Sequence, residues 1–464
     1  MSTFLFFLLI GVSAAMVGWG LLRRERILQY PTLAGATWLL YMAPQGLGVL
    51  RNPESVPAMA LEDGGLEMAL GMCVLCALAG WLGYMHPWRR KPAGSAKVAQ
   101  YSRSRTLHAG LALLGVGLLG FYKLASLSGG WVAFFSTEGS YTLEWRGLPV
   151  AYVFFAGALF PALFLLLVSA LAGRNLVGWV GAVAGALPLV ASAVFLGRRS
   201  QTVFLIMIVL LAALFVRGWA PPRSVAIVGM LVTAVVVVAA GEYRRYSPIG
   251  GDWGEIRYLD PKGMVRSVVS GEGYSEFQFA LVQISATNRF KEFGLGRGFY
   301  NTLVANWIPR LLVGDAVKES FFIEGPDYGQ QTYAAYQWSP GYGSNPTGIN
   351  NAFCEFWFFG ALLYFGIGKG FRYLWDRAFI TKDFAATLFY ACLSPLAMTT
   401  ILGNLSGVPS DVLYVSLFVV PAIVYARAPR RALARPQSAP VRGGGTRGNN
   451  NGNNNGLPAG RTQG

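Results

Sequence analysis

The hydrophobic residues of this chain are gathered into long blocks that are separated by short polar and charged stretches. Each block has about the length, roughly 20 residues, that a helix needs to cross the hydrocarbon core of a membrane. We therefore predict an all-α, polytopic membrane protein with about eleven membrane-spanning helices. The predicted spans are residues 4–22, 31–50, 66–85, 107–127, 150–172, 176–196, 201–216, 223–241, 352–370, 384–402 and 409–426.

The composition excludes a soluble domain. Of the 464 residues, 54% are hydrophobic and only 13% are charged, whereas soluble proteins carry roughly 25% charged residues. Four cysteines are too few for a disulfide scaffold. Cys73 and Cys76 have CxxC spacing, but neither histidines nor further cysteines accompany them, so we predict no metal site. We also predict no cofactor.

The distribution of basic residues predicts the orientation in the membrane. Cytoplasmic loops carry the excess of Lys and Arg. Alternate connections hold 23 of the 38 basic residues and three of the 22 acidic ones. These connections are residues 23–30, 86–106, 173–175, 217–223, 371–383 with Lys369, and the stretch from 427 onwards. We predict a bacterial cytoplasmic membrane protein with its N-terminus outside and its C-terminus in the cytoplasm. The net charge of +16 is then matched by anionic membrane lipid and not by nucleic acid.

This orientation divides the chain into four regions. Residues 1–241 contain eight spans and the cytoplasmic linker 86–106, and residues 352–426 contain the last three spans. Between them, residues 242–351 form a large extracytoplasmic loop. Residues 427–464 form a low-complexity tail that we expect to be disordered.

Two short amphipathic helices are predicted on the outer face within the large loop. Hydrophobic residues recur at helical spacing in two sets. The sets are Phe277, Ala280, Leu281 and Ile284, and then Phe299, Leu303 and Trp307. Residues 325–351 are instead rich in Gly, Pro, Tyr, Asn and Gln, a composition that suits either sugar binding or an ordinary loop at the membrane interface.

Two arginine pairs stand on the outward side, against the charge bias. Arg198 and Arg199 follow the sixth span, and Arg244 and Arg245 follow the eighth. Guanidinium groups bind phosphate oxygens bidentately, so the four side chains could clamp a lipid diphosphate. The alternatives are anchoring to phospholipid headgroups or a misjudged pair of spans.

Glu355 is the principal candidate acid because it lies among aromatic residues at the outer edge of the ninth span, where a carboxylate needs a function or a partner. It could accept a proton from a sugar hydroxyl or pair with an arginine. Glu272 and Glu276 are lower-ranked alternatives. Asp411 is predicted to cap the last span. The segment GLGRGF, residues 294–299, resembles a phosphate-binding loop but follows no strand, so we interpret it as a turn.

The outward arginine pair in LGRRSQ, the loop segment GLGRGFYNTLVANWIPRLL and the re-entry GINNAFCEFWFFGALLYFGIGKG together resemble bacterial Wzy-type O-antigen and exopolysaccharide repeat-unit polymerases. The resemblance covers roughly residues 100–425. It implies a GT-C-like fold and a glycosyltransferase that polymerises undecaprenyl-diphosphate-linked oligosaccharide units on the outer face of the cytoplasmic membrane. It also allows for a chain-length regulator and a flippase of the same pathway as partners.

The resemblance assigns roles to the candidate residues. Arg198, Arg199, Arg244 and Arg245 would hold the donor diphosphate, and Glu355, or else Glu272 or Glu276, would act as the base. Further residues would position the sugars, namely Arg310 and the aromatic stretch 328–342 with Tyr336 and Trp338.

Three other functions compete with the polymerase. A flippase or polysaccharide transporter would be expected to carry charges deep within its spans, which are nearly free of them here. A related O-antigen ligase would carry a histidine in its outer loop, but His86 and His108 both flank the cytoplasmic side. A non-catalytic scaffold of a cell-envelope complex would use the outward Arg and Glu residues as interface pairs.

Overall fold

The structure is a computed structural model, and it describes residues 1–87, 101–136, 148–173, 175–197, 199–246, 253–258, 260–272, 275–308, 310–340 and 346–427. Within these ranges the chain is helical apart from its connections, and it contains no β-sheet. Most of the predicted linker, residues 88–100, and the predicted tail from 428 onwards lie outside the described residues.

The α-helices are numbered in chain order. They are α1 Ser2–Leu21, α2 Tyr30–Thr37, α3 Ala43–Arg51, α4 Ala58–Glu62, α5 Gly65–Met85, α6 Arg103–Leu127, α7 Trp131–Phe135, α8 Leu148–Ala156, α9 Leu159–Gly173, α10 Leu176–Phe195, α11 Arg199–Arg217, α12 Arg223–Tyr246, α13 Pro261–Ser270, α14 Glu276–Phe290, α15 Arg297–Trp307, α16 Arg310–Val313, α17 Asp315–Ser320, α18 Tyr328–Tyr336, α19 Gly348–Phe356, α20 Ala361–Trp375, α21 Phe384–Leu393, α22 Leu396–Leu402 and α23 Val408–Ala426.

Eight helical segments of the described chain are long and apolar enough to cross a membrane. They correspond to eight of the eleven predicted spans, so the prediction of a polytopic, all-helical membrane protein is confirmed. The predicted spans 201–216 and 223–241 coincide with the shorter apolar helices Gln201–Arg217 and Arg223–Val236.

The remaining predicted span, 31–50, is one continuous helical rod made of α2, the π-helical turn Trp38–Met42 and α3. Pro44 has no N–H group to donate, and the turn before it is widened so that Ala43 donates to the carbonyl of Trp38. Most of the side chains of this rod are buried. Because neighbouring helices cover it, it contains polar residues such as Gln45 that a lipid-facing span would exclude.

The connections gather at two opposite ends of the helical body. At one end, the turn at Arg24 and Glu25 meets the turn 218–222, and Arg223 donates from Nη2 to the carbonyl of Leu22 at 2.7 Å. At the other end, the Ser2 hydroxyl donates to Glu67 at 2.6 Å. The first end therefore brings together turns that the distribution of basic residues predicts to be cytoplasmic.

The prediction that the first amphipathic helix of the large loop lies on the outer face is wrong. Helix α14 contacts α3, α4, α5, α18 and α19, and every side chain from Phe277 to Thr287 is buried. Its polar side chains find partners on those neighbours: Gln283 bonds to Asn350, and the Ser285 and Tyr336 hydroxyls are 2.7 Å apart. The helix is buried on all sides because both its apolar and its polar faces are satisfied. The second predicted helix is present as α15.

Candidate functional site

The ninth predicted span is broken immediately after Glu355. Helix α19 ends at Phe356, Trp357 adopts a positive φ of 52°, and a 3₁₀ turn leads into α20. A helix end leaves carbonyl groups without helical partners. Here Gly294 donates its N–H to the carbonyl of Cys354 at 3.0 Å, and Leu295 donates to the carbonyl of Glu355 at 2.8 Å. The glycine-rich segment of the large loop thus caps the broken helix.

The same segment binds the side chain of Glu355. Oε2 accepts from the N–H of Gly296 at 2.8 Å, and Oε1 accepts from the N–H of Gly298 at 3.2 Å. The Tyr328 hydroxyl also lies 3.2 Å from Oε1, and it lies 2.9 Å from the carbonyl of Cys354. Glu355 is 3% exposed. Its carboxylate sits at the N-terminus of α15, where backbone N–H groups and the helix dipole favour an anion.

Glycine is required in this segment for steric reasons. A Cβ atom at Gly294 or at Gly298 would overlap the carboxylate of Glu355, and Gly296 has a φ of +93°. The segment that resembles a phosphate-binding loop therefore surrounds an anion, but the anion is a carboxylate of the same chain. Burial of Tyr328, reinforced by the neighbouring carboxylate, raises the pKa of its hydroxyl, which is consistent with a hydroxyl that stays protonated and donates.

A pocket of about 530 Å³ opens on the other side of this segment. Its walls carry Lys291, Glu292, Arg297 and Glu324 together with the apolar Phe293, Leu295 and Pro326. Lys291 bonds to Asn288 at 2.7 Å, and Glu292 accepts from Gln331 of α18 at 2.8 Å. Arg297 and Glu324 have no ion-pair partner among the described residues. The pocket thus presents charged and hydrogen-bonding groups of both signs to a polar ligand.

Tyr336 and Trp338, two predicted sugar contacts, face inward onto α14. The Tyr336 hydroxyl bonds to Asp63 at 2.8 Å, and Asp63 forms an ion pair with Arg289 at 3.3 Å. Burial raises the pKa of Tyr336 to about 12, and the hydrogen bond to Asp63 acts in the same direction. The ring of Trp338 packs against Phe279 with centroids 6.2 Å apart. Their contacts are with the protein interior.

The other predicted acidic and basic residues of the loop lie apart from Glu355. Glu276 begins α14 and accepts from Gln45 at 3.2 Å, whereas Glu272 is exposed after α13. Arg310 forms an ion pair with Asp315 at 3.2 Å. No contact joins these residues to the carboxylate of Glu355 within the described chain.

Of the two arginine pairs, Arg198 lies outside the described residues, as do the side chains of Arg199, Arg244 and Arg245. Helix α11 begins at Arg199, and both Arg244 and Arg245 belong to the last turn of α12. The hydroxyl of Tyr243 donates to the carbonyl of Val194 at 2.8 Å. The end of α12 therefore contacts the end of α10, four residues before Arg198.

Two contacts of charged residues near this site were not anticipated from the sequence. Asp63, in the turn before α5, pairs with both Arg289 and Tyr336. Lys318 is 7% exposed and donates from Nζ to the carbonyl of Ala305 at 2.7 Å, so it neutralises the C-terminal turn of α15. Burial lowers the pKa of Lys318. Nothing in the polar run DAVKES indicates that one of its residues is buried.

The prediction that Asp411 caps the last span is wrong. Helix α23 begins at Val408, its N-cap residue is Gly407, and no side chain there bonds to the helix end. Pro409 fits the first turn of a helix, so the helix starts earlier than expected and Asp411 is its fourth residue. The side chain of Asn404 instead caps the preceding 3₁₀ turn.

Comparison of the chain with models of protein families, with curated proteins and with solved structures finds no match.

Proposed function

We propose that this protein is a membrane glycosyltransferase that polymerises saccharide units carried on a polyprenyl diphosphate, as the resemblance to repeat-unit polymerases implies. The reaction would take place at the end of the helical body formed by α14, α15 and α19. On the predicted orientation, this end faces the outside of the cytoplasmic membrane. The pocket beside Gly294–Arg297 would bind the acceptor glycan.

The observation that carries the proposal is the hydrogen bond between Tyr243 and Val194. This hydrogen bond joins the end of α10, which precedes Arg198, to the end of α12, which contains Arg244. The sequence places four arginines, Arg198, Arg199, Arg244 and Arg245, at or next to these two helix ends. On this proposal, their guanidinium groups would bind the oxygens of a diphosphate bidentately. Such groups stabilise the negative charge that develops on the leaving diphosphate, and stabilisation of this kind accounts for much of the rate acceleration in many transfer reactions.

In the proposed reaction, the bond between the anomeric carbon of the donor sugar and the diphosphate oxygen breaks. An acceptor hydroxyl forms the new bond to that carbon, its proton passes to a carboxylate, and polyprenyl diphosphate leaves. The donor is already activated, so positioning and charge stabilisation carry the chemistry.

The contacts of Glu355 favour a different role from the base that the resemblance implies. Both oxygens of its carboxylate accept hydrogen bonds, from two backbone N–H groups and from Tyr328. A carboxylate that accepts protons from substrate needs a free lone pair directed at the substrate. These contacts favour a positioning role, in which Glu355 holds the wall of the acceptor pocket. Glu324, which is exposed in that pocket, is better placed to accept a proton.

The test is complementation of a strain that lacks the gene, with the glycan length distribution as the measurement. We expect Arg198→Ala/Arg199→Ala to abolish long-chain glycan while the protein still inserts. Each charged contact contributes about 1.5–3 kcal/mol, so losing two lowers the rate by roughly 10²–10⁴-fold. The matched control is Arg23→Ala/Arg103→Ala, which removes the same charge near the opposite end of the bundle. A normal length distribution in the first variant rejects the diphosphate clamp.

The same strain distinguishes polymerase from flippase. Loss of a polymerase leaves single-repeat glycolipid in the outer leaflet, where an externally added lectin or glycosidase reaches it. Loss of a flippase leaves the glycolipid in the inner leaflet, where it is protected in intact cells. Protected glycolipid contradicts the proposal.

A further inference from the structure

A second pocket, of about 650 Å³, lies at the opposite end of the helical body. Three connections form it: the turn after α1, the turn between α11 and α12, and the turn before α21. We call it the inter-turn pocket. It is lined by Arg24, Glu25, Leu214, Phe215, Trp219 and Lys382, among others. The hydrogen bond from Arg223 to the carbonyl of Leu22 holds two of these turns together.

The inter-turn pocket contains two cations, and neither forms an ion pair within the part of the chain that the structure describes. They are Arg24 and Lys382. The two acidic residues nearest to Lys382 in the sequence already form ion pairs with arginines. Asp376 pairs with Arg372 at 2.9 Å, and Asp383 pairs with Arg377 at 2.7 Å. Among the described residues, Glu25 is the one acid that lines the pocket, so the formal charge of the described lining is +1.

The rest of the lining is apolar and lies at or beyond the ends of apolar helices. Leu214 and Phe215 belong to the last turns of α11, and Phe379 lies beside Lys382, whose Nζ is 4.6 Å from the centre of that ring. Trp219 is 48% exposed. Tryptophan at this position is typical of the headgroup level of a bilayer, where its ring contacts lipid and its N–H contacts water.

We propose that the inter-turn pocket binds the headgroup of an anionic phospholipid. Arg24 and Lys382 contact the phosphodiester, Glu25 accepts a hydrogen bond from a headgroup hydroxyl, and the apolar side chains contact the glycerol and the first acyl carbons. A phosphodiester carries one negative charge, which matches the net charge of the pocket, whereas a diphosphate carries more. The proposal is independent of the glycosyltransferase function, because it concerns the other end of the molecule.

The test is native mass spectrometry of the full chain in detergent micelles with equal amounts of phosphatidylglycerol and phosphatidylcholine. We expect one phosphatidylglycerol to be retained by the unmodified protein. Each basic residue near an anionic headgroup contributes about 1 kcal/mol, so Arg24→Gln/Lys382→Gln is expected to weaken retention by roughly 30-fold. The control is Arg23→Gln/Arg103→Gln, which removes the same charge from exposed residues that do not line the pocket. It is expected to retain the lipid.

The proposal is overturned by equal retention by the two double variants, by equal retention of phosphatidylcholine, or by displacement of the lipid by millimolar inorganic phosphate. The last result identifies a free-phosphate site. Arg24→Lys keeps the charge and is expected to retain most of the lipid that the unmodified protein retains. A loss of retention in Arg24→Lys equal to that of the double variant also contradicts recognition by charge. Because Arg24 and Lys382 are exposed, these variants are expected to fold.

Discussion

The role of Glu355 can be tested with a single isosteric substitution, Glu355→Gln. Glutamine keeps the shape of the side chain but replaces one acceptor oxygen with an NH₂ group, which can only donate. In the native structure the two oxygens face the N–H groups of Gly296 and Gly298. Whichever way the amide is oriented, one of these N–H groups then faces another donor.

The size of the effect follows from the contacts. Loss of a hydrogen bond to a charged group costs about 1.5–3 kcal/mol, and a buried donor left without an acceptor costs about 1–3 kcal/mol. Loss of the negative charge at the N-terminus of α15 adds about 0.3–1 kcal/mol. Since these contributions share the same atoms and do not add fully, we expect the loop to be destabilised by about 3 kcal/mol.

Hydrogen–deuterium exchange measures this destabilisation where it occurs. Within residues 294–298, the amides of Gly294, Leu295, Gly296 and Gly298 are protected because they bond to Cys354 and Glu355, and the amide of Arg297 donates to the carbonyl of Gly294. A loss of about 3 kcal/mol against local opening raises their exchange rate by roughly 150-fold. The control is Glu324→Gln, the same substitution at an exposed acid of the neighbouring pocket, for which exchange is expected to change little.

Exchange and activity together separate the two roles of Glu355. Faster exchange at residues 294–298, with the transfer rate lowered in proportion to the fraction of molecules whose loop is open, agrees with a positioning role. Unchanged exchange with transfer abolished identifies Glu355 as the base and refutes our reasoning. Faster exchange with full activity shows that the loop does not serve catalysis, which also contradicts the proposed acceptor site.

Three further predictions concern the rest of the chain. The pKa of Tyr336 is raised from 10.0 to about 12, so its contribution to stability is fully present below pH 10 and is lost as the pH rises from 10 to 12. Thermal unfolding across this range should show a loss that Tyr336→Phe makes smaller, because Tyr328 contributes in the same direction, whereas Tyr333→Phe should leave the loss unchanged. Gly348→Ala places a Cβ atom onto a backbone carbonyl of α22 and should destabilise the protein by about 3 kcal/mol or more, whereas Gly366→Ala, with open space around it, should leave the melting temperature unchanged or raise it. Deletion of residues 436–464 should leave the glycan length distribution unchanged, and loss of polymerisation would contradict the prediction of a disordered tail.

The membrane spans could be predicted because length and hydrophobicity are local properties of the sequence. The break at Trp357 could not, because it depends on donors that lie about sixty residues away in the chain. The carbonyls of Cys354 and Glu355 are satisfied by Gly294 and Leu295. Hydropathy shows one continuous apolar segment here, since aromatic residues surround the break.

Helix α14 illustrates a second limit of prediction from the sequence. Its apolar residues recur at helical spacing, and the polar residues between them suggested a solvated face. That face is buried because its partners come from distant segments: the Phe277 N–H donates to Gln45 at 2.9 Å, and Thr287 lies 3.2 Å from the sulfur of Cys354. A sequence pattern separates apolar from polar faces, but it does not show which polar faces have partners.

The sequence drew attention to Glu355 through the energetic cost of a buried carboxylate. A carboxylate among aromatic residues requires a partner, and the sequence offered an arginine or a substrate as the choices. The structure supplies backbone N–H groups instead. Backbone N–H groups cannot be recognised from residue types, except through the glycines that allow the backbone to approach closely. The GLGRG segment was therefore the one indication in the sequence of these donors. It resembled a site for a different anion, phosphate.

On the proposed function, the breaks in the helices determine where a polar substrate can bind. An unbroken span satisfies its own backbone and offers lipid-like side chains, whereas a broken one exposes N–H and carbonyl groups that must be paired. At the end of α19, the loop segment that contains Gly294 and Leu295 donates hydrogen bonds to the unpaired carbonyls. The same segment forms a wall of a charged pocket. The substrate that we propose, with a polyprenyl tail and a sugar head, would need this combination of lipid access and polar contacts. Mutations that restore a continuous helix at Trp357 are therefore expected to be more harmful to transfer than mutations that remove a single pocket charge.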